Sequence, residues 1–410
     1  MLLFGARVFV APGTAAAALA FVAAGVALGT ASGLCPGLHV NNLALLLAAA
    51  APSIPGPPHL VGATLLAAGV VHSFLDVVPA LALGVPDASM AVTALPGHRL
   101  VIAGRGREAI RLSALGSAAA VALAAPLAVP MTRAMATAYP VVEAHLSVAL
   151  GCVVAFLVLT ERGTRARAGA LCSLAVSGAL GLVVLDADPT SILPTGDVLA
   201  PLFAGLFGAP VLLDAMDGGG VPPQGGPTIV AGRRSVGLAA GAGTLAGAVV
   251  AYVPGISSAI AAAAALAGLP DAGDREFVVA TSGVNTANTI FALFALVSLG
   301  SPRTGLLVAL DRAAVPLNLP LLLVAIALGA CAGVAVMLLV GDRYLAAVGR
   351  RDSARVSLAV LALLVLLSAL FAGLLGLGAF LAATLVGLLP PRTGARRVHL
   401  MGVLIVPLAL

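Results

Sequence analysis

Two clusters of polar residues, each inside an otherwise apolar stretch, carry most of the chemistry this chain offers. His72, Ser73 and Asp76 lie within the run 60–84 at i, i+1 and i+4, so they share roughly one face of a helix. Asn285, Asn288 and Thr289, with Thr286 between them, cluster in the same way within 276–299. An acid in mid-membrane costs roughly 2.5–3.5 kcal/mol on insertion scales, so Asp76 is expected to face a cavity or a partner. Carboxylate, amide and hydroxyl oxygens suit a hard cation such as Na⁺, and Asp76 with His72 suits a proton instead. His72, Ser73, Asp76, Asn285, Asn288 and Thr289 are therefore the candidate ion-coupling residues. The plainer alternative is a buried His–Asp pair that holds helices together, or an Asp near enough to a helix end to reach water.

A second set of residues surrounds two Pro-Gly breaks. Gly33-Leu34-Cys35-Pro36-Gly37-Leu38-His39 opens the apolar run ending near Ala51, and Tyr252-Val253-Pro254-Gly255-Ile256-Ser257-Ser258 opens another ending near Leu269. A helix that starts just after such a break turns free N–H groups and its positive dipole end into the cleft. Such ends bind anions without a charged side chain. Pro36, Gly37, His39, Asn41 and Asn42 in the first break, with Pro254, Gly255, Ser257 and Ser258 in the second, are the candidate substrate-binding residues, and a carboxylate is the ligand that fits. A simple kink with N-capping side chains is the competing reading of either break alone.

The elements that must position these groups are helices in a bilayer. Hydrophobic residues make up 61% and charged residues 9% of the chain, with mean hydropathy +1.14. An ordinary soluble domain carries about 25% charged residues, so this is an integral membrane protein. The apolar runs lack the alternation of a β-barrel. Spans are expected near 8–32, 60–84, 112–130, 140–159, 167–185 and 196–213, then near 235–252, 276–299, 316–340, 356–372, 374–390 and 397–410. Half-helices are expected at 38–51 and 256–269. The first span reads as an uncleaved helix rather than a signal peptide. Broken backbone in hydrocarbon is tolerated only around a cavity or inside protein.

The breaks belong to an internal repeat. Pro36 and Pro254, Gly25 and Gly243, and Gly29 and Gly247 are each 218 positions apart. His72-Ser73-Phe74-Leu75-Asp76 through Leu83-Gly84-Val85-Pro86 matches Asn288-Thr289-Ile290-Phe291-Ala292 through Leu299-Gly300-Ser301-Pro302 at an offset of 216, and Gly205–Pro210 echoes Gly402–Pro407. Residues 1–215 read as one transmembrane repeat, 216–234 as a polar linker and 235–410 as the second repeat. Loop charges orient them. The loop 186–197 holds Asp186, Asp188 and Asp197 with no Arg, whereas its counterpart 390–397 holds Arg392, Arg396 and Arg397. Arg-rich short loops stay cytoplasmic, so equivalent loops face opposite sides and the repeat is inverted. Gly/Pro breaks at matching places in two halves mark a secondary transporter with discontinuous helices.

Several classes are excluded or discounted. No Walker A, Rossmann glycine pattern, HExxH or GxSxG is present, so neither ATP-driven transport by this chain nor hydrolase chemistry has support, and His72–Asp76 lacks the nucleophile or metal partner that an intramembrane enzyme would need. All 21 residues counted as Lys+Arg are Arg, and they sit in short loops where they set topology, which leaves nucleic-acid binding without a basis. Cys35, Cys152, Cys172 and Cys331 lack CxxC spacing, so no disulfide framework, zinc site or other protein-bound metal is indicated. Glu143 and His145 are expected to cap a helix beginning at Pro140. The basic stretch Arg99, Arg105, Arg107 and Arg111 is expected to anchor topology rather than bind substrate.

Together these pieces resemble the TctA family, the large membrane subunit of tripartite tricarboxylate transporters. The likeness rests on Gly33-Leu-Cys-Pro-Gly-Leu, Leu83-Gly-Val-Pro-Asp, Thr93-Ala-Leu-Pro-Gly-His-Arg and Gly104-Arg-Gly-Arg-Glu-Ala-Ile-Arg-Leu-Ser-Ala-Leu-Gly-Ser. In the second half it rests on Val253-Pro-Gly-Ile and Asn285-Thr-Ala-Asn288-Thr. His72-Ser73-Phe74-Leu75-Asp76 stands where that family carries Gly-Gly-Ser-Thr-Thr. The expected architecture is thus an all-α polytopic membrane protein of two inverted repeats with two broken, re-entrant half-helices. The expected function is secondary transport of a small organic anion across the cell membrane, driven by Na⁺ or H⁺ and needing no cofactor beyond that ion. The resemblance also implies a small membrane subunit and an extracytoplasmic solute-binding protein as partners. Two rivals remain at this stage: a translocase of a polyprenyl phosphate or other anionic lipid carrier, and a membrane scaffold whose polar residues pair among themselves.

Overall fold

The computed structural model describes the chain apart from residues 1, 4, 5, 8–11, 37, 39, 85–93, 192–197, 217–219, 254, 255, 257, 270, 271, 301 and 303, and a few further side chains, Asn41 and Asn42 among them. A two-residue strand pair, Leu2–Leu3 with Ala6–Arg7, precedes an all-helical body. Before residue 217 the helices are α1 (Pro12–Gly33), α2 (Val40–Ala50), α3 (Pro58–Leu75), α4 (Val77–Leu83), α5 (Ala94–Ile102), α6 (Gly106–Ala144), α7 (Leu146–Leu159), α8 (Thr164–Val184), α9 (Leu199–Phe203) and α10 (Ala209–Met216), the last two joined by a π-helical turn at Ala204–Gly208. After a non-helical stretch come α11 (Arg233–Tyr252), α12 (Ser258–Leu266), α13 (Asp274–Leu299), α14 (Gly305–Arg312), α15 (Leu319–Gly349), α16 (Ser353–Gly387), α17 (Leu389–Thr393) and α18 (Gly402–Ala409). Among the described residues, nine helices are long and apolar enough to cross a bilayer, counting α3 with α4, α9 with α10 and α16 with α17 as continuous.

Glycine contacts repeat with the sequence. Helix α1 lies along α3 in the same direction, with Gly25 against Thr64 and Ala67, Gly29 against Ala68 and Val71, and Gly33 against His72 and Leu75. Helix α11 lies along α13 in the same way, with Gly243 against Ala280 and Gly247 against Val284 and Ala287. Thr64 and Ala280, Ala68 and Val284, and Val71 and Ala287 are each 216 positions apart, so the two pairs share one interface. Only a residue without Cβ lets the backbones approach this closely. Gly84 (φ 68°) closes α4 and Gly300 (φ 63°) closes α13, both left-handed at equivalent positions. Farther on, Gly181 meets Val403 and Pro407 while Gly387 meets Leu206 and Pro210, which extends the correspondence to the Gly205 and Gly402 segments.

The two copies run in opposite directions. At the end of α4, His98 Nδ1 donates to Leu81 O (2.7 Å), and its neighbour Arg99 pairs with Asp274, which begins α13. At the far side Gly62, near the start of α3, lies against Val315, well past the end of α13. Each first helix is followed by a short one that returns to its own side. Gly56, just after α2, sits on the ring of Phe21 in α1, and α2 packs on α14. Ala261, Ala262 and Leu266 of α12 share a core with Leu100, Val101 and Val278 at the other end. At 1.5 Å per residue the 11 residues of α2 and the 9 of α12 reach about 16 and 14 Å, half of a hydrocarbon core about 30 Å thick. They are re-entrant half-helices.

Some boundaries differ from the sequence reading. The separate spans 112–130 and 140–159 are replaced by one 39-residue helix, α6, which runs through Pro126, Pro130 and Pro140, and then the short α7. Each proline removes one backbone donor, but the apolar runs on either side keep the helix going. Glu143 therefore lies in the last turn of α6, where an acid opposes the dipole, and its oxygen accepts from Tyr139 Oη (3.3 Å) instead of capping a helix start. His145 likewise bonds back to Val141 O rather than opening a helix at Pro140. Residues 98–102, read as loop, complete α5. The division between 356–372 and 374–390 falls on Ala372 and Gly373, the two non-helical residues inside α16.

Candidate functional site

Pro79 determines the local geometry of the most telling acid. It has no N–H to give Leu75 O, so the hydrogen-bond ladder is interrupted around Asp76, which keeps helical backbone angles (φ −57°, ψ −27°) between α3 and α4. Asp76 is 4% exposed, and its Oδ2 accepts from Asn285 Nδ2 of α13 (3.1 Å). This bond joins the two repeats. His72, fully buried one turn before, places Nδ1 2.9 Å from Ser32 Oγ near the end of α1. Ser73 is also buried, and its hydroxyl proton goes to Val70 O in its own helix (2.8 Å). Thus the two side chains expected on one face reach different neighbours, His72 towards α1 and Asp76 towards α13.

On α13 the polar face continues past Asn285. Asn288 Oδ1 and Thr286 Oγ1 are buried and have no hydrogen-bond partner among the described residues, while Thr289 is half-buried. A buried amide oxygen and hydroxyl left unpaired are costly unless something else meets them. One turn back, Ser282 Oγ pairs with Ser113 Oγ of α6 (2.7 Å), and Ser117 Oγ donates to Ser282 O (3.2 Å). The sequence reading missed Ser32, Ser113, Ser117 and Ser282. Their signal was present, since Ser113 with Ser117 and Ser282 with Asn285 and Thr289 are helix-spaced polar residues in apolar segments.

Of the substrate-binding candidates, Gly37, His39, Pro254, Gly255 and Ser257 lie outside the described residues, as do the side chains of Asn41 and Asn42. Pro36 is half-buried in the turn after α1, and Ser258, 2% exposed, begins α12. A residue beside each break packs on the same core. Leu34 from the first and Ile256 from the second pack on one apolar cluster that also holds Val71, Leu75, Val77 and Val284, the neighbours of Asp76 and Asn285. Ile256 also touches a second cluster containing Ile260, Phe207 of the π-helical turn and Ala372 of the broken α16. The π-helical turn and the kink of α16 thus share a core with Ile256, and π-turns are frequent near functional sites.

Charge is distributed unevenly between the two ends. Contacts between Arg111 and Asp342, Arg275 and Glu108, Arg165 and Arg392 O, Arg396 and Glu161, and Arg397 and Asp214 bring the arginines of 99–111, 162–167, 275, 343–355 and 392–397 to one end. Ser235, just after Arg233 and Arg234, bonds Glu276 at that same end. Arg133 and Arg312 lie at the other. In the turn between α7 and α8, burial pushes the Glu161 carboxyl up, but hydrogen bonds from Arg396 and His399 (both 2.8 Å) outweigh it and hold the group below the usual carboxylate range.

The family described as "Tripartite tricarboxylate transporter TctA family" matches residues 19–402 of this chain. The uncharacterized protein MJ1079 of Methanocaldococcus jannaschii is 25% identical over 292 residues, which cover 70% of each chain. No solved structure matches significantly.

Proposed function

The chain belongs to the tripartite tricarboxylate transporter TctA family, and from that premise we propose that it is an ion-coupled permease for a small di- or tricarboxylate. The observation that carries this reading is that Leu34 and Ile256, each beside one of the two breaks, pack on the apolar cluster that flanks the Asp76–Asn285 bond. In this mechanism the helix ends after Pro36-Gly37 and Pro254-Gly255 hold the substrate carboxylates through free N–H groups. Asp76, Asn288 and the hydroxyls of α13 hold Na⁺, or Asp76 with His72 carries a proton. The repeats then rock about this site to alternate access. The proposal includes residues 1–215 and 235–410 as the two moving repeats and 216–234 as their linker. It also includes a small membrane subunit and an extracytoplasmic solute-binding protein as partners. The arginine-rich end faces the cytoplasm of a cell membrane.

A scaffold would pair its polar groups internally, and Asp76–Asn285, His72–Ser32 and Ser113–Ser282 do pair. Asn288 Oδ1 and Thr286 Oγ1 favour the transporter, since they supply cation-ligating oxygens that the described residues leave unused. The test is uptake of labelled citrate and other di- and tricarboxylates into proteoliposomes, with imposed Na⁺ or proton gradients and with or without the accessory subunits. Gradient-dependent accumulation that disappears in Asp76→Asn, with membrane insertion intact, is the expected result. A folded preparation that accumulates no carboxylate under any combination overturns the reading.

A further inference from the structure

At the arginine-poor end a cavity of about 190 Å³ opens between α6 and the end of α13. Its walls are apolar at Val129 and Phe294 and polar at Thr132, Arg133 and Ser298. Arg133 makes no ion pair among the described residues, whereas Arg111, Arg275 and Arg396 at the opposite end are all paired. Behind it Thr132, 5% exposed, gives its proton to Ala128 O (2.7 Å) and accepts from Tyr252 Oη (2.7 Å). Tyr252 is fully buried and is the last residue of α11, directly before Val253 and the second Pro-Gly break. A cationic mouth, a hydroxyl floor and a helix break therefore stand in sequence from the surface inward.

We propose that this cavity is the outer vestibule of the permease, in which Arg133 draws in and orients a carboxylate anion above the Thr132–Tyr252 pair. The pair separates the vestibule from the second break and must part for the anion to reach it. An arginine kept only as an interfacial anchor has no need to line a cavity floored by the Thr132 hydroxyl, which is itself bonded to Tyr252. A guanidinium also presents paired N–H donors that match a carboxylate, which the backbone donors of a helix end do not by themselves select. The carboxylate identity rests on the permease reading; the electrostatic role rests on this geometry alone.

Labelling tests the two separately. Ala136 lines the same cavity and is exposed. The full chain carrying Ala136→Cys, corrected for labelling of the parent, is treated in intact cells with impermeant methanethiosulfonates of similar size and opposite charge. With each rate normalised to that of a small free thiol, the anionic reagent is expected to react about 3–10 times faster than the cationic one, the effect of one nearby charge in a partly screened site. The preference should fall to parity in Arg133→Gln, persist in Arg133→Lys, and shrink as salt is raised. Millimolar citrate should slow the anionic reagent only where residue 133 is basic. Equal rates for both reagents, an unchanged preference in Arg133→Gln, or labelling only after permeabilisation overturns the vestibule. Failure of citrate to protect overturns the carboxylate assignment. Absence of ion-driven uptake with the charge preference intact overturns the permease reading and not the vestibule.

Discussion

Asp76 accepts its hydrogen bond from a residue of the other repeat, so its environment changes whenever the two halves move relative to each other. Asn285→Ala removes that donor. Polar pairs inside membrane proteins contribute about 0.6 kcal/mol on average and up to about 1.7, so thermal unfolding in detergent should show a loss within that range. A much larger loss would make Asn285 a structural clasp rather than one arm of a site. Ion-driven uptake, by contrast, should fall by tenfold or more, because the carboxylate loses the group that aims it. Wild-type uptake in this variant would remove Asn285 from the coupling set. Asp76 itself was legible in the sequence as an acid in an apolar run. Its partner could not be chosen, since Asn285 and Asn288 are equally polar and only helix phase decides which one faces α3.

The elements were legible where small residues set a period. Gly25, Gly29, Gly243 and Gly247 announced two close helix crossings, and the packing repeats at the offset the sequence showed. Gly247→Leu should jam α11 against Val284 and Ala287 at a cost of about 1–3 kcal/mol, whereas Gly241→Leu on the same helix meets nothing within 4 Å and should be neutral. Folded yield by detergent gel filtration distinguishes them, and equal yields would sink the packing argument. What could not be read was the continuity of α6. Pro126, Pro130 and Pro140 are ordinary helix breakers in water, but in hydrocarbon the backbone has no solvent to bond and stays helical through them. The hydroxyls Ser113 and Ser117 were overlooked for a related reason, because Ser in a membrane helix commonly bonds its own backbone, as Ser73 does.

Across the whole molecule the ion pairs tie the outer helices together at one end. Arg396 and His399 hold the Glu161 carboxyl below its ordinary value of 4.5, so the stabilisation they supply is complete above that pH and is lost as pH falls below it. Glu161→Gln should lower the unfolding temperature at pH 7, and the gap to wild type should close on acidification; a constant gap would mean that packing, not charge, is responsible. The re-entrant helices carry one more consequence. Helix α2 is too short to cross a bilayer, and it packs on α14, which belongs to the other repeat. A ribosome delivers α2 long before α14 exists, so the first hairpin must wait at the membrane without its partner until the second half is synthesised. The first half is therefore incomplete until α14 has been made, and a truncated first half should be degraded rather than inserted as a stable unit.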